Sequence, residues 1–102
     1  MYMENWKDYY KCTEDGEVIR IKSGRILKPF LSRGYDRVIL SVKNKKQKFL
    51  VHRLIALYFL PNLKNKRTVD HINRIKTDNR LENLRWATDS EQQVNTIRKP
   101  NK

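Results

Sequence analysis

Residues 69–95 read VDHINRIKTDNRLENLRWATDSEQQVN, and this stretch decides the fold. Its few apolar residues fall in short islands, so it is a poor former of hydrophobic core. The pair Asp70-His71 opens the stretch, and Asn83 and a polar helix start at Thr88 follow it. We therefore interpret it as a functional site that the rest of the chain holds in place.

Local patterns divide this stretch into strand, loop, strand and helix. Thr68 to His71 predicts one short strand and Leu84 to Trp86 a second, with a polar loop between them. Thr88 and Glu91 form a capping box, which predicts a final helix from Thr88 to about Ile97. The sequence therefore predicts a ββα unit.

A short apolar helix is predicted immediately upstream, from Leu50 to Leu60. Its apolar residues recur three to four positions apart, as on the core-facing side of a helix, and Pro61 ends it. His52 lies in this helix, where a packing or hydrogen-bonding role is favoured over catalysis.

The first 50 residues alternate short apolar runs with turn signals, which is typical of antiparallel β-hairpins. The predicted strands are Tyr9–Thr13, Val18–Ile21, Ile26–Leu31, Tyr35–Val42 and Phe49–Val51, with Lys43–Lys48 as a basic hairpin tip. The fold class is therefore α+β, with an N-terminal antiparallel β-hairpin layer, a central helix and a C-terminal ββα motif. The division is residues 1–49 and residues 50–102.

The charge of the chain indicates a polyanionic partner. The formal net charge is +12 and the pI is about 10.1. Residues 21–55 hold ten Lys and Arg against one acidic residue, and a solvated face is the weaker explanation. The candidate nucleic-acid contacts are Arg33, Arg37, Lys43, Lys45, Lys46, Lys48, Arg53, Arg80 and Arg85. For Arg85, an ion pair with Glu82 is the alternative.

Composition also excludes several classes of site. Cys12 is the only cysteine, which excludes an intramolecular disulfide and a zinc site built on cysteines. No apolar run approaches 18 residues and no signal-peptide pattern opens the chain, so we expect an intracellular, cytoplasmic protein with no membrane partner.

The chemistry that the residues favour is that of a hard cation. Asp70 supplies a carboxylate oxygen, and the amide oxygens of Gln92 or Asn95 on the predicted helix are further candidate ligands. Few protein ligands and several waters suit Mg²⁺ or Mn²⁺. A neutral His71 nearby would deprotonate an attacking water. Adjacent residues of a strand point to opposite faces, so Asp70 and His71 share a site only if the strand bends or they act from different sides.

The stretch VDHINRIKTDNRLENLRWATDSEQQ closely resembles the HNH endonucleases, in the subfamily typical of phage and intron-encoded nucleases. The preceding VHRLIALYFLPN, residues 51–62, is similar to the helix that precedes the motif there. Residues 5–42, which begin with NWKDYYKCTEDGEVIR, resemble the small NUMOD4-like module often fused in front of it.

This resemblance implies a role for each matching residue. His71 matches the general base, Asp70 the first metal ligand, and Asn83 the Asn that tightens the loop and orients the histidine. The last ligand position, usually Asn or His, falls on Gln92, with Asn95 as the fallback. The resemblance implies one Mg²⁺ or Mn²⁺ ion per site and hydrolysis of double-stranded DNA to a 5′ phosphate, in a bacterial or phage-infected cell.

The resemblance also sets expectations about assembly and specificity. One site per chain cuts one strand, so a monomer nicks DNA and a double-strand break needs two sites, as in a homodimer. Relatives usually carry a further C-terminal DNA-reading module, so we expect weak sequence specificity, or specificity that a partner or a dimer supplies. The main alternative is a non-catalytic nucleic-acid-binding protein on the same fold, with the metal site left idle by Gln92. An RNA-binding module is a weaker alternative, because no aromatic-rich sheet motif is present.

Overall fold

This computed structural model describes residues 5–62 and 64–88. They form eight short strands and one α-helix, connected by turns and loops. The strands are β1 (Tyr10–Cys12), β2 (Val18–Arg20), β3 (Arg25–Ile26), β4 (Phe30–Ser32), β5 (Tyr35–Val42), β6 (Lys45–Leu50), β7 (Thr68–His71) and β8 (Leu84–Ala87). The helix is α1 (Val51–Phe59), and two 3₁₀ turns span Trp6–Asp8 and Leu81–Asn83. The predicted α+β class, with antiparallel sheets and a central helix, is confirmed.

The N-terminal layer consists of two antiparallel three-stranded sheets. One has the order β1-β2-β3 and the other the order β4-β5-β6. The Tyr10 hydroxyl joins them, because it accepts a hydrogen bond from the Ser41 amide at 2.9 Å and donates to the Ser41 carbonyl at 3.2 Å. On β5, Val38, Leu40 and Val42 are buried, as the alternation in the sequence predicts.

Two predicted boundaries in this layer are wrong. Ile26–Leu31 is not one strand, because it divides into the end of β3 and the start of β4, which belong to different sheets. Pro29 lies in the crossing segment, where its missing N–H costs no ladder hydrogen bond. Lys43–Lys48 is not a hairpin tip either. The turn is Lys43-Asn44 alone, at φ 52° and 67°, and β6 already begins at Lys45.

Helix α1 lies at the centre of the molecule and begins where β6 ends. The predicted helix is confirmed, with each end one residue shorter than predicted. Leu54, Ile55 and Ala56 are fully buried on its inner face. At its C-terminal end, the indole nitrogen of Trp86 donates to the Leu60 carbonyl at 3.0 Å, which satisfies a carbonyl that the helix leaves unpaired.

One hydrophobic core joins the N-terminal layer to the β7–β8 segment. Trp6 and Tyr10 from the chain start pack in the same cluster as Leu54 of α1, Val69 of β7 and Leu84 of β8. At roughly 25 cal/mol per Å² of buried apolar area, large side chains such as these dominate the stability of so small a core. The two regions therefore stabilise each other.

The predicted strands at the C-terminal motif are confirmed, with β7 at Thr68–His71 and β8 extending one residue further than predicted, to Ala87. The predicted helix from Thr88 to Ile97 lies outside the described residues, apart from Thr88 itself. Among the described residues, no helix has the length and apolar character needed to cross a membrane. The division into residues 1–49 and 50–102, and the NUMOD4-like identity of the first part, stay predictions.

Candidate active site

The site is built on the hairpin of β7 and β8. The two strands pair antiparallel, with Asp70 opposite Arg85 and His71 opposite Leu84. Twelve residues, 72–83, connect the strands, and most of them are exposed. A polar connection of this length needs internal hydrogen bonds to hold one conformation, since it buries little apolar surface.

Asn83 supplies those hydrogen bonds. Its Oδ1 accepts from the Asn73 amide at 2.9 Å, and its Nδ2 donates to Asn73 Oδ1 at 3.0 Å and to the Asp78 carbonyl at 2.9 Å. Its own carbonyl accepts from the Ile72 amide at 2.8 Å. Asn83 is 5% exposed, so these bonds are shielded from water. The contacts agree with the loop-tightening role that the resemblance implies.

A second cluster stiffens the outer part of the loop. Arg80 donates to both carboxylate oxygens of Asp78 at 2.8 Å and to Glu82 at 2.7 Å. Hydrogen bonds from the Arg80 side chain are the main reason that the pKa of Asp78 lies well below its usual range. Glu82 therefore pairs with Arg80, whereas the sequence left Arg85 as its possible partner.

His71 ends β7 with its ring buried at 5% exposure. Its Nε2 lies 2.9 Å from Oδ1 of Asn79. The ring centroid is 4.5 Å from that of His52 and 6.0 Å from that of Tyr35, and Tyr35 in turn stacks on His52 at 5.3 Å. Three elements, β5, α1 and the loop, therefore fix the orientation of this imidazole.

His52 is a neutral neighbour of His71. Burial, and after it the charges of His71, Arg53 and Arg37, lower the pKa of His52 to about 3. Within the described residues, His52 Nδ1 and Arg37 Nε are buried atoms without a hydrogen-bond partner. His52 thus packs against the candidate base, which agrees with the packing role favoured from the sequence.

Asp70 faces a different set of neighbours from His71. Its Oδ2 accepts from Arg85 Nη2 at 3.0 Å and from Nε at 3.2 Å, and Asp70 is only 4% exposed. The two adjacent side chains therefore engage different partners, as alternation along a strand requires.

Of the candidate metal ligands, only Asp70 lies within the described residues. In residues 5–62 and 64–88, no group of three or more His, Cys, Asp or Glu side chains could hold a metal ion. The other candidate ligands, Gln92 and Asn95, lie outside the described residues. A buried carboxylate completed by amide oxygens and water is nevertheless a donor set of the kind that Mg²⁺ and Mn²⁺ take.

The basic candidates fall into two groups. The first lies on the sheet of β4, β5 and β6: Arg33 in the β4–β5 turn, Arg37 on β5, Lys43 in the β5–β6 turn, and Lys45, Lys46 and Lys48 on β6. By register, Arg37, Lys46 and Lys48 share the face that points away from the core, and the two lysines are exposed.

The second group already has partners within the protein. Arg53 donates to the Arg67 carbonyl at 2.8 Å and lies 5.7 Å from the ring centroid of Trp86. Arg80 pairs with the Asp78 carboxylate and Arg85 with the Asp70 carboxylate. Among the described residues, the first group makes no ion pair that would have to break, so it is better placed to contact a backbone phosphate.

Asn79 is the site residue that sequence reasoning missed. It lies in the polar loop that the sequence predicts between the two strands, yet it is 7% exposed and makes the hydrogen bond to the His71 ring. The burial of Asn79 depends on the path of the loop across the N-terminal layer, so no local sequence pattern predicts its role. The only signal was that an amide lay in the loop that follows the histidine.

Comparison with known proteins agrees with this geometry. The family of HNH endonucleases matches residues 49–94. The DNA endonuclease I-HmuI of Bacillus phage SP01 is 39% identical over 90 residues, which cover 81% of this chain and 52% of that protein. The H-N-H endonuclease F-TflII of Escherichia phage T5 is 35% identical over 104 residues, covering 94% and 54% respectively.

A solved structure described as "DNA binding and cleavage by the HNH homing endonuclease I-HmuI" has the same fold. The TM-score is 0.80 at 36% identity, and the match covers 95% of this chain and 58% of that one. The chain spans about half the length of the curated relatives it matches. By the sequence of its motif and by its fold, this chain belongs to the HNH endonucleases.

Proposed function

We propose that the protein is a metal-dependent endonuclease that nicks double-stranded DNA, with His71 as general base. The observation that carries the proposal is the His71 ring at the end of β7, buried and held by Asn79, beside the buried carboxylate of Asp70. I-HmuI, which shares the fold, is described as binding and cleaving DNA. Family and geometry thus support the same reaction.

His71 would act by accepting a proton from water. The water oxygen then attacks phosphorus and the bond from phosphorus to the 3′ oxygen breaks. The departing 3′ oxygen takes up a proton from solvent, so the products are a 5′ phosphate and a 3′ hydroxyl. A neutral, positioned imidazole suits this step, since one of its ring nitrogens carries a lone pair that accepts a proton. The Asn83 hydrogen bonds hold the loop that carries Asn79, so the ring does not have to be reoriented during the reaction.

Asp70, with Gln92 or Asn95, would hold one Mg²⁺ or Mn²⁺ ion. When bound, such an ion supplies positive charge to the phosphate and to the departing oxygen. Arg85 now balances the Asp70 charge at 3.0 Å and would share that carboxylate with the ion. Gln92 is longer than the Asn usual at this position by one methylene, which makes it the weakest member of the set.

The DNA backbone would lie against the exposed face of the sheet β4-β5-β6, which carries Lys46 and Lys48. Since each chain holds one His71, a monomer would cut one strand. A double-strand break would need two chains.

A second candidate function is DNA binding without cleavage. The Asp70–Arg85 ion pair favours it, because Arg85 balances the Asp70 charge and hydrogen-bonds Oδ2 without any metal. The basic sheet face serves either function.

Supercoiled plasmid distinguishes the two. The wild type should convert it to the nicked form in Mg²⁺ or Mn²⁺ but not in EDTA, and His71→Ala should lower the rate at least 100-fold. Free imidazole added to His71→Ala should restore part of that rate, because it replaces the missing proton acceptor. Retarded migration of DNA without nicking by the wild type in either metal would refute the nuclease and support the second candidate.

A further inference from the structure

We propose that the N-terminal β layer is part of the catalytic apparatus. Asp36 and the β1–β2 turn at Gly16 act as positioning groups for Asn79, and Asn79 fixes the orientation and the neutral tautomer of His71. The proposal rests on the proposed function, in which His71 accepts a proton from water.

The first observation is a chain of side-chain hydrogen bonds that crosses between the two regions. Asn79 Nδ2 donates to Asp36 Oδ2 at 3.4 Å, and Asn79 Oδ1 lies 2.9 Å from His71 Nε2. A carboxylate only accepts hydrogen bonds, so the amino group of Asn79 must face Asp36 and its oxygen must face His71. The bond to Asp36 is long, so its contribution is to direction more than to strength.

The amide orientation determines the protonation of the His71 ring. Asn79 Oδ1 is an acceptor, so the nitrogen facing it, Nε2, must carry the proton. In a neutral imidazole the other nitrogen, Nδ1, then holds the lone pair that accepts a proton. Asn79 thereby selects which nitrogen of His71 acts as the base.

The second observation is the close approach of Gly16 to Asn79. A Cβ added at Gly16 would lie 2.7 Å from the Asn79 carbonyl oxygen and 3.1 Å from its Cβ. Beside it, the Leu81 amide donates to the Glu14 carbonyl at 2.8 Å. The β1–β2 turn therefore holds the backbone of Asn79 in place, while Asp36 holds its side chain.

These contacts join residues of the N-terminal layer to the nuclease motif, so they assign that layer a positioning role beyond the motif itself. Asp36 is 43 residues from Asn79, and Gly16 belongs to another hairpin. A displaced Asn79 would release the ring and let both tautomers of His71 populate. A displacement on the order of 1 Å in a catalytic group costs up to about 100-fold in rate.

Gly16→Ala and Gly24→Ala form a matched pair of variants. Both glycines have positive φ, +92° and +70°, so alanine strains the backbone at both positions. Nothing lies within 4 Å of the added Cβ at Gly24, whereas Gly16 abuts Asn79. We expect Gly16→Ala to lower kcat for nicking about 10-fold or more with KM within 2-fold, and Gly24→Ala to keep wild-type kcat. Equal effects of the two variants would overturn the proposal.

Asp36 provides a test that does not introduce a steric clash. Asp36→Ala removes the acceptor for Asn79, whereas Asp36→Asn keeps an amide oxygen that accepts the same hydrogen bond. Asp36 is only half-buried, so both variants should fold. We expect kcat to fall about 10-fold in Asp36→Ala and to recover in Asp36→Asn. A fall of the same size in both would refute positioning by hydrogen bond.

Nitrogen-15 NMR of the imidazole rings reads the tautomer directly, without metal or DNA. The wild type at neutral pH should show a protonated Nε2 on His71, with the signal assigned by its loss in His71→Gln. In Gly16→Ala and Asp36→Ala, the nitrogen-15 chemical shifts of His71 should be averaged between those of the two tautomers.

A wild-type ring protonated on Nδ1, or shifts unchanged in both variants, would overturn this inference even if the plasmid is nicked. A wild type with the expected tautomer that does not nick DNA would instead refute the proposed function, and the catalytic role given to Asp36 and Gly16 would fail with it.

Discussion

Replacing Asn83 by alanine removes the three side-chain hydrogen bonds that close the loop between β7 and β8. Each such bond between neutral groups contributes about 1 kcal/mol net, so the expected loss in the free energy of unfolding is about 3 kcal/mol. In a chain of 102 residues that loss lowers Tm by roughly 10 to 20 °C. The loss should be accompanied by slower nicking, since the same loop carries Asn79.

Urea denaturation followed by tryptophan fluorescence measures the loss, because Trp6 is 2% exposed and gains solvent on unfolding. Asn62→Ala is a matched control. Asn62 also closes a loop, through two hydrogen bonds with Lys66 at 2.7 and 2.8 Å, but in the α1–β7 connection. It should cost about 2 kcal/mol and leave nicking unchanged well below its Tm. An Asn83→Ala loss under about 1 kcal/mol, or equal effects of both variants on nicking, would refute this reasoning.

Two further predictions concern the neighbours of His71 and Asp70. Burial above all lowers the pKa of His52 to about 3, so on acidification the unfolded state takes up a proton before the folded state does. The free energy of unfolding therefore decreases as pH falls from about 6.5 towards 3. Between pH 7 and 4.5 the wild type should therefore lose about 2 to 3 kcal/mol relative to His52→Phe in urea denaturation, and a constant difference would contradict this. Arg85→Gln removes a guanidinium 3.0 Å from Asp70 that competes with a cation, although Arg85 is half exposed. Calorimetric titration of the DNA-free protein with Mg²⁺ should show binding tightened about 2- to 5-fold, and weaker binding would contradict the competition.

Periodicity and turn signals predicted most of the elements because the burial is regular. The alternation along Tyr35–Val42 and the three-to-four spacing of α1 both correspond to one buried face. The two wrong boundaries have different causes: one is lysine-rich composition and the other is the topology of the sheets. Lysines favoured a loop at residues 45–48, yet Lys46 and Lys48 lie on a strand face that points away from the core, where their long side chains remain solvated. The separation of β3 from β4 follows from the two-sheet arrangement, which no local pattern contains.

The candidate site was predictable to the extent that its residues lie in one motif. Asp70, His71 and Asn83 came from the resemblance, and the structure places all three, buried, around one hairpin. The pairing of Asp70 with Arg85 depends on strand register, which the sequence left open. Asn79 was missed because its burial and its contact with Asp36, 43 residues away, depend on how the loop packs against the N-terminal layer.

The shared core also limits how the HNH motif of this chain can be joined to other proteins in a chimaera. Cys12 of β1 lies against α1, with its thiol 3.9 Å from the Leu54 carbonyl, and burial raises the pKa of that thiol to about 12. A chimaera joined between β6 and α1 would leave the apolar side of α1 exposed, and it would also lose Gly16 and Asp36. We therefore expect the HNH motif to be stable and correctly positioned only when it is transferred together with its β layer.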